Sequence, residues 1–81
     1  MKLSIIDTEK TTTHTVNWVE LNTPVGNMVI QEKHAPIVVE LAPQQELLFE
    51  LKNGEKQSIT IVQGVAHVTR EEVKILLPLA L

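Results

Sequence analysis

Glu46-Leu47-Leu48-Phe49-Glu50-Leu51-Lys52-Asn53-Gly54, continued by Gln57-Ser58-Ile59-Thr60-Ile61-Val62-Gln63, settles the fold class. Leu47, Phe49 and Leu51 alternate with Glu46, Glu50 and Lys52, the two-residue period of a strand with one buried face. Asn53-Gly54 is the strongest hairpin signal in the chain, and a type I′ turn with positive φ at both residues is expected there. Ile59 and Ile61 then return in register with the leucines.

Outward from this hairpin the same grammar repeats. Met1 to Asp7 reads as a strand with Leu3 and Ile5 on one face. Thr11 to His14 suits an edge. Val16 to Leu21 alternates as Val16, Trp18 and Glu20 against Asn17, Val19 and Leu21. Asn22 to Asn27 holds Thr23-Pro24 and Gly26 and reads as a loop. Met28 to Ile30 is a short apolar strand, and Gln31 to Pro36 a second loop. Ile37 to Leu41 is a buried strand that turns at Pro43. Gly64 permits a bulge or tight bend before Val65 to Thr69. Arg70-Glu71 is a polar turn, and Val73 to Leu77 closes the series before Pro78. Val, Ile and Thr supply 25 of 81 residues, whereas alanine, the best helix former, appears four times. The expected fold is all-β: a two-layer, mostly antiparallel β-sandwich of about eight to ten short strands, with residues 1–81 as one domain.

Composition narrows the function classes. A chain of this size buries roughly 60–65% of its unfolded surface, so its core is thin. It has no cysteine, which removes disulfides and thiolate metal sites. Small domains without such staples gain from a partner. The net charge of −3 argues against a phosphate-backbone binder, and Trp18 and Phe49 alone leave little to stack on bases. No nucleic acid is expected as a partner. No apolar run reaches the roughly 18 residues that span a bilayer, and no signal-peptide h-region follows Met1. A soluble, intracellular protein without direct membrane insertion is expected.

The chemistry-bearing residues are few. His14, His34 and His67 would hold a metal only if the fold gathered them, and the paired histidines of cupin barrels are missing; no metal site is expected. Neither common phosphate cradle is present. Ser4 and Ser58 lack an elbow glycine. Glu71 and Glu72 are adjacent on an extended chain and point to opposite faces. Binding is better supported than catalysis. One candidate region is the loop-rich stretch from Asn22 to Pro36, whose Met28, Val29 and Ile30 either contact a partner or fill the core. The other is the uncharged tail from Ile75 to Leu81, with Leu79 and Leu81, which either forms a contact patch or folds back over an open sandwich end.

Gly26-Asn27-Met28-Val29-Ile30-Gln31-Glu32-Lys33-His34-Ala35-Pro36 resembles the epsilon subunit of F-type ATP synthases, in which a glycine and a short apolar strand precede a His-Ala-Pro triplet. The likeness continues in order along the chain. Ile37 to Leu41 with Ala42-Pro43 is similar to the family's strand and Pro-containing turn, and Asn53-Gly54 to its hairpin. Val62-Gln63-Gly64 is similar to its Val-Ser-Gly-Gly segment, and Val73-Lys74-Ile75-Leu76 to its last strand. Lys2-Leu3-Ser4-Ile5 and Thr8-Glu9-Lys10 also fit. There are departures. Gln31-Glu32-Lys33 replaces an apolar-Pro-Asn/Gly step, Gln44 stands at a usual glycine, Thr8 at a common proline, and the glycine after Gly64 is missing.

The resemblance implies a non-catalytic rotor subunit that clamps the gamma subunit to the c-ring and transmits torque, without a cofactor. It would lie peripherally at the cytoplasmic face of the bacterial inner membrane, within the ATP synthase complex. Gly26, Asn27 and Met28 would face the c-ring, and His34 would shape the surface shared by gamma and the ring. Asn27 stands where the family often has an acidic residue, and Glu32 would compensate. Leu79 and Leu81 would pack on gamma. The family's regulatory helical hairpin has no counterpart in residues 1–81, so neither a self-contained inhibitory arm nor an ATP site is expected in them. The rival readings are a stand-alone β-sandwich adaptor or homo-oligomer and, further off, a small metal enzyme using the three histidines.

Overall fold

The computed structural model describes residues 1–78. Eight strands form in chain order: β1 (Lys2–Ile6), β2 (Thr11–Thr23), β3 (Gly26–Gln31), β4 (Ile37–Glu40), β5 (Gln45–Leu51), β6 (Lys56–Ile61), β7 (Val65–Val68) and β8 (Glu72–Leu76). They build two layers that share one strand. The first layer runs β4-β7-β8-β1 and ends on the N-terminal half of β2. The second runs β3, the C-terminal half of β2, β5 and β6. The expected all-β sandwich is therefore present, at the low end of the expected strand count. Pairing is antiparallel except between β1 and β8, which run parallel with Leu3 opposite Val73 and Ile5 opposite Ile75.

The inner faces meet in one apolar core. Leu3, Ala66, Val68, Val73 and Ile75 come from the first layer; Val19, Leu21, Ile30, Leu47, Phe49 and Ile61 come from the second. Each is withdrawn from water because it occupies the inward phase of its strand. Among the described residues Ser4 is the one buried polar residue, and its Oγ donates to Glu72 Oε2 at 2.8 Å. That bond offsets the cost of removing a hydroxyl from water.

β2 differs from expectation. Its 13 residues form one strand, not two, and Asn22, Thr23, Gly26 and Asn27 are paired strand residues rather than loop. The alternation also changes phase. Val16 faces Leu51 and Trp18 faces Glu50, so Asn17 has no counterpart on β5. This bulge puts Val16, Val19 and Leu21 all inward and turns Trp18 and Glu20 outward. Asn17 Nδ2 donates to Glu50 Oε1 at 2.8 Å and to the Leu51 carbonyl at 3.1 Å, which seats the extra residue. The bend lets β2 leave one layer and enter the other.

The β5–β6 connection is also corrected. Asn53 does not take positive φ; only Gly54 does, at 91°. The Gly54 amide donates to the Leu51 carbonyl at 2.8 Å, and the Leu51 amide to the Glu55 carbonyl at 2.7 Å. This is the longer hairpin loop in which a turn is followed by one left-handed glycine, not the two-residue type I′ turn. Asn53 Oδ1 accepts the Glu55 amide at 2.9 Å, which explains the asparagine. Gly64 lies where the chain crosses from β6 to β7, between the layers. A Cβ there would stand 3.1 Å from the Leu76 carbonyl oxygen, so close backbone approach disfavours a side chain.

Candidate functional site

The candidate surface begins at the β2–β3 tip. Pro24 and Val25 connect Thr23 to Gly26, and the residue before a proline is pushed to extended backbone, which extends β2 to Thr23. Thr23 Oγ1 donates to the Gly26 carbonyl at 2.7 Å and accepts the Val25 amide at 3.3 Å. Gly26 has φ of 133°, a backbone that a side chain would strain, with open space around it. The tip thus projects Val25, 98% exposed, on a hydrogen-bonded frame.

From Gly26 the strand alternates. Asn27 and Val29 point outward, whereas Met28 is half-buried against the core beside fully buried Ile30. Asn27 Nδ2 donates to Glu20 Oε1 at 2.8 Å and to Asn22 Oδ1 at 3.1 Å. Asn22 Nδ2 in turn donates to the Glu46 carbonyl at 2.9 Å. The carboxylate nearest Asn27 is therefore Glu20, a residue the sequence reading did not single out. Glu32, cast as the compensating charge, lies instead 3.6 Å from the Met1 ammonium.

The following loop turns at Gln31-Glu32-Lys33-His34, closed by the His34 amide donating to the Gln31 carbonyl at 3.2 Å. Lys33 is left-handed, with φ of 65°, at the third turn position. Its amide donates to the Arg70 carbonyl at 3.1 Å and ties this loop to the β7–β8 turn. His34 is half-buried, with Nδ1 2.7 Å from the Ala35 carbonyl. A carbonyl only accepts, so Nδ1 carries the proton. Gly26, Asn27 and Met28 are contiguous on the hairpin, while Glu32 and His34 belong to the next loop. Leu79 and Leu81 lie outside the described residues.

The three histidines fall on separate elements. His14 on β2 stacks against Phe49, ring centroids 5.0 Å apart; His34 is in the β3–β4 loop; His67 stands exposed on β7. Among the described residues no three His, Asp or Glu side chains group as metal ligands, and no helix is long and apolar enough to cross a membrane.

A feature the sequence reading missed is the outer face of the first layer. Ile6, Leu76 and Val65 align across β1, β8 and β7; on the neighbouring β4, Glu40 stands opposite Val65 and Val38 opposite His67. Val38, Val65 and Leu76 are 65%, 36% and 42% exposed. The signal was available. Each of these residues is out of phase with the core positions of its own strand, on outer faces that otherwise carry Lys2, Glu40, His67, Glu72 and Lys74. Exposed apolar clusters mark contact surfaces.

Two antiparallel layers that share β2, with a projecting β2–β3 hairpin, belong to the class of small β-sandwich domains. The sequence model of the family described as ATP synthase, Delta/Epsilon chain, beta-sandwich domain matches residues 1–80, and the chain belongs to that family. It is similar to a chain in the Euglena gracilis mitochondrial ATP synthase, solved as OSCP/F1/c-ring in rotational state 1, with TM-score 0.84 and 27% identity over 93% of this chain. It also shares its fold with a chain in the Tetrahymena thermophila mitochondrial ATP synthase central stalk and c-ring, with TM-score 0.71 and 19% identity over 94%. The chain spans 48% of the length of the first and 63% of the second. No curated protein matches it significantly.

Proposed function

We propose that residues 1–81 act as one β-sandwich unit in the central stalk of an F-type ATP synthase, docking gamma to the c-ring and transmitting torque without performing chemistry. The observation that carries this reading is the family match along nearly the whole chain. Two structural features support it. Exposed Val38, Val65 and Leu76, with half-buried Ile6, offer gamma an apolar surface whose burial stabilises contact by roughly 25 cal/mol per Å² before binding costs. The β2–β3 tip, with Gly26, Asn27 and Met28, offers the c-ring a firm point. β2 runs continuously from that tip into the layer bearing the apolar row. Load applied at the tip thus passes along one covalent strand and its ladders. In this arrangement Glu20, held by Asn27, supplies the negative charge that the family often places at position 27 and attracts basic ring loops. His34 borders both contacts. In a bacterium the unit would lie at the cytoplasmic face of the inner membrane, held there through the complex.

The test is affinity purification of the tagged protein from detergent-solubilised membranes of its own cell. Recovery of gamma, the catalytic subunits and c is the expected result. Recovery of the protein alone, as a concentration-dependent oligomer, would replace the motor reading with the self-associating adaptor. The Val38→Asp, Leu76→Asp variant should lose gamma while its thermal midpoint stays near that of the parent.

A further inference from the structure

Each layer of the sandwich has two lateral edges, and the edge at β6 differs from the others. β4 is four residues long, lies between Pro36 and Pro43 and carries Glu40. β3 begins at Gly26 with positive φ, and the Asn27 side-chain amide is engaged within its own hairpin. The Thr11–Thr15 part of β2 is partly covered, because the Thr15 carbonyl accepts the Lys52 amide at 3.3 Å. Short length, proline, charge and cover are the usual protections of an edge. β6, Lys56-Gln57-Ser58-Ile59-Thr60-Ile61, has no proline or glycine, keeps its one charge at its first residue and pairs with β5 on one side.

Its open side can be assigned residue by residue. Bonded and non-bonded pairs alternate along an antiparallel ladder. The Leu51 amide donates to the Glu55 carbonyl at 2.7 Å, which sets the phase. Gln57, Ile59 and Ile61 therefore turn their N–H and C=O groups toward β5, whereas Lys56, Ser58 and Thr60 turn theirs to the edge. The side chains of these three are exposed, while Gln57 and Ile59 are half-buried. Among the described residues Lys56 makes no ion pair, although Glu50 faces it in register.

The edge is complementary to itself. Two copies of β6 laid antiparallel about a two-fold axis at Ser58 set Ser58 against Ser58 and Lys56 against Thr60. Every outward N–H and C=O group of the strand then finds a partner. Centring the axis on Gln57 or Ile59 does not achieve this. Thr60 would meet Gly54, whose amide already bonds Leu51 at 2.8 Å, or Lys56 would meet Val62, whose carbonyl already accepts the Gln44 amide at 3.1 Å. With the axis at Ser58, half-buried Ile59 lies opposite Gln57 of the second copy and is covered further. Charge agrees with this register. Glu46 faces Thr60 on β5, so Lys56 stands two strand spacings, about 10 Å, from Glu46 of the second copy, within reach of two extended side chains. The two-fold axis makes each such contact twice.

We propose that β6 is a self-association edge through which two copies of this chain pair, joining their second layers into one continuous sheet. Strand addition at an open edge draws its affinity from main-chain hydrogen bonds and its register from the side chains. β6 contains none of the residues assigned to gamma or the c-ring, and the pairing leaves the β2–β3 tip and the outer face of the first layer open. Dimerisation of the isolated chain and capture of gamma are therefore separate results.

The full chain is followed by sedimentation equilibrium over a wide range of concentration, and its mass should rise toward twice that of the monomer. Ser58→Pro removes an N–H that points away from β5, a position where an edge strand accepts proline. It should keep its circular dichroism spectrum and weaken the dimer at least tenfold. If it fails to fold, Thr60→Lys, which sets two lysines together at each end of the pairing, should weaken the dimer as much. Lys56→Glu should also weaken it, and Lys56→Glu, Glu46→Lys should restore it to within twofold. Ser58→Cys should cross-link to itself under mild oxidation, since bonded partners stand about 5.5 Å apart at Cα, whereas Thr60→Cys should not. Val38→Asp, Leu76→Asp should dimerise normally, which separates this edge from the gamma-docking reading. A monomer at every concentration, a dimer unchanged by Ser58→Pro, equal cross-linking at positions 58 and 60, or a dimer lost with Val38 and Leu76 would overturn the proposal.

Discussion

Asn27 Nδ2 donates to Glu20 Oε1 across the β2–β3 hairpin at 2.8 Å and at the same time to Asn22 Oδ1 at 3.1 Å. An acidic residue at position 27 would lose both bonds and set a second carboxylate beside Glu20. Asn27→Asp should therefore cost about 1 kcal/mol at neutral pH. The repulsive part of that loss should shrink in high salt, which screens exposed charges. Urea unfolding at low and high ionic strength measures both quantities. An equal loss at the two salt concentrations would mean that the amide bonds, not the charges, set the pairing.

Lys33 and Gln44, with φ of 65° and 57°, are the non-glycine residues with left-handed backbone among the described residues. Both stand at positions where the resembling family uses glycine or asparagine. The left-handed region costs a side chain roughly 1–2 kcal/mol, and glycine returns part of that through its unfolded-state entropy. Lys33→Gly and Gln44→Gly should each stabilise by about 0.5–1 kcal/mol. Their amides still reach Arg70 and Val62, because those bonds belong to the backbone. The effects should add in the double variant, as they do for sites in separate loops. Thermal midpoints of the three variants check this.

These positions also show what was and was not legible in the sequence. The β5–β6 hairpin was legible because its apolar phase is local: Leu47 and Phe49 are 2% and 1% exposed, and Ile61 is buried opposite Gln45. The type I′ turn was not, because turn type depends on how many residues the ladder leaves unpaired. The parallel β1–β8 pairing joins residues about seventy positions apart and leaves no local trace. The bulge at Asn17 was hidden for a related reason. Val16, Trp18 and Glu20 alternate evenly in sequence, and only the register against β5 shows that the phase changes between them. Of the candidate site, Gly26 was readable from its punctuation. Val38, Val65 and Leu76 could have been read as apolar residues out of phase with the core positions of their own strands, whereas Glu20 could not, since its bond to Asn27 appears only when β2 and β3 lie side by side.

Asp7 caps the β1–β2 turn. Its Oδ1 accepts the Lys10 amide at 2.8 Å and the Glu9 amide at 2.7 Å. These bonds, Lys10 first, hold its carboxyl below the ordinary aspartate range. A depressed folded-state pKa means that the stabilisation is complete above the unfolded value, about 3.9, and is lost as pH falls through the lower folded value. Asp7→Asn keeps an acceptor but not the charge. It should be less stable than the parent at neutral pH and converge with it in acid. Guanidinium midpoints between pH 2 and pH 7 follow the two curves; parallel curves would remove Asp7 from the acid response.

Gly64 has no left-handed backbone to protect, so its requirement is spatial. A methyl group there would meet the Leu76 carbonyl oxygen at 3.1 Å, Leu77 Cδ2 at 3.2 Å and Ile61 Cγ2 at 3.4 Å. The leucine terminus can swing away, but the carbonyl belongs to β8. The Gly64 carbonyl also accepts the Leu41 amide at 2.9 Å, so shifting the backbone disturbs a link to the chain leaving β4. Gly64→Ala should cost about 1–3 kcal/mol, the range for overpacked sites. A neutral result in chemical denaturation would show that β8 yields at this crossing.

Asn17 offers the sharpest test of the shared strand. Asn17→Ala removes the bonds to Glu50 and the Leu51 carbonyl at an exposed site, and should cost about 0.5–1.5 kcal/mol. Deleting Asn17 is a different experiment. It leaves the inward residues in even alternation, with Val16 and Val19 two places apart, so the core pattern survives on paper. What disappears is the bend that carries β2 from one layer to the other. If that bend is required, the deletion should destabilise well beyond the alanine variant and weaken pairing of Thr11–Thr15 with β1. Hydrogen exchange of the β1 and β2 amides would locate the loss. Protection retained throughout β1 would mean that the even strand bends without its bulge, and that Asn17 merely fills a place the twist already provides.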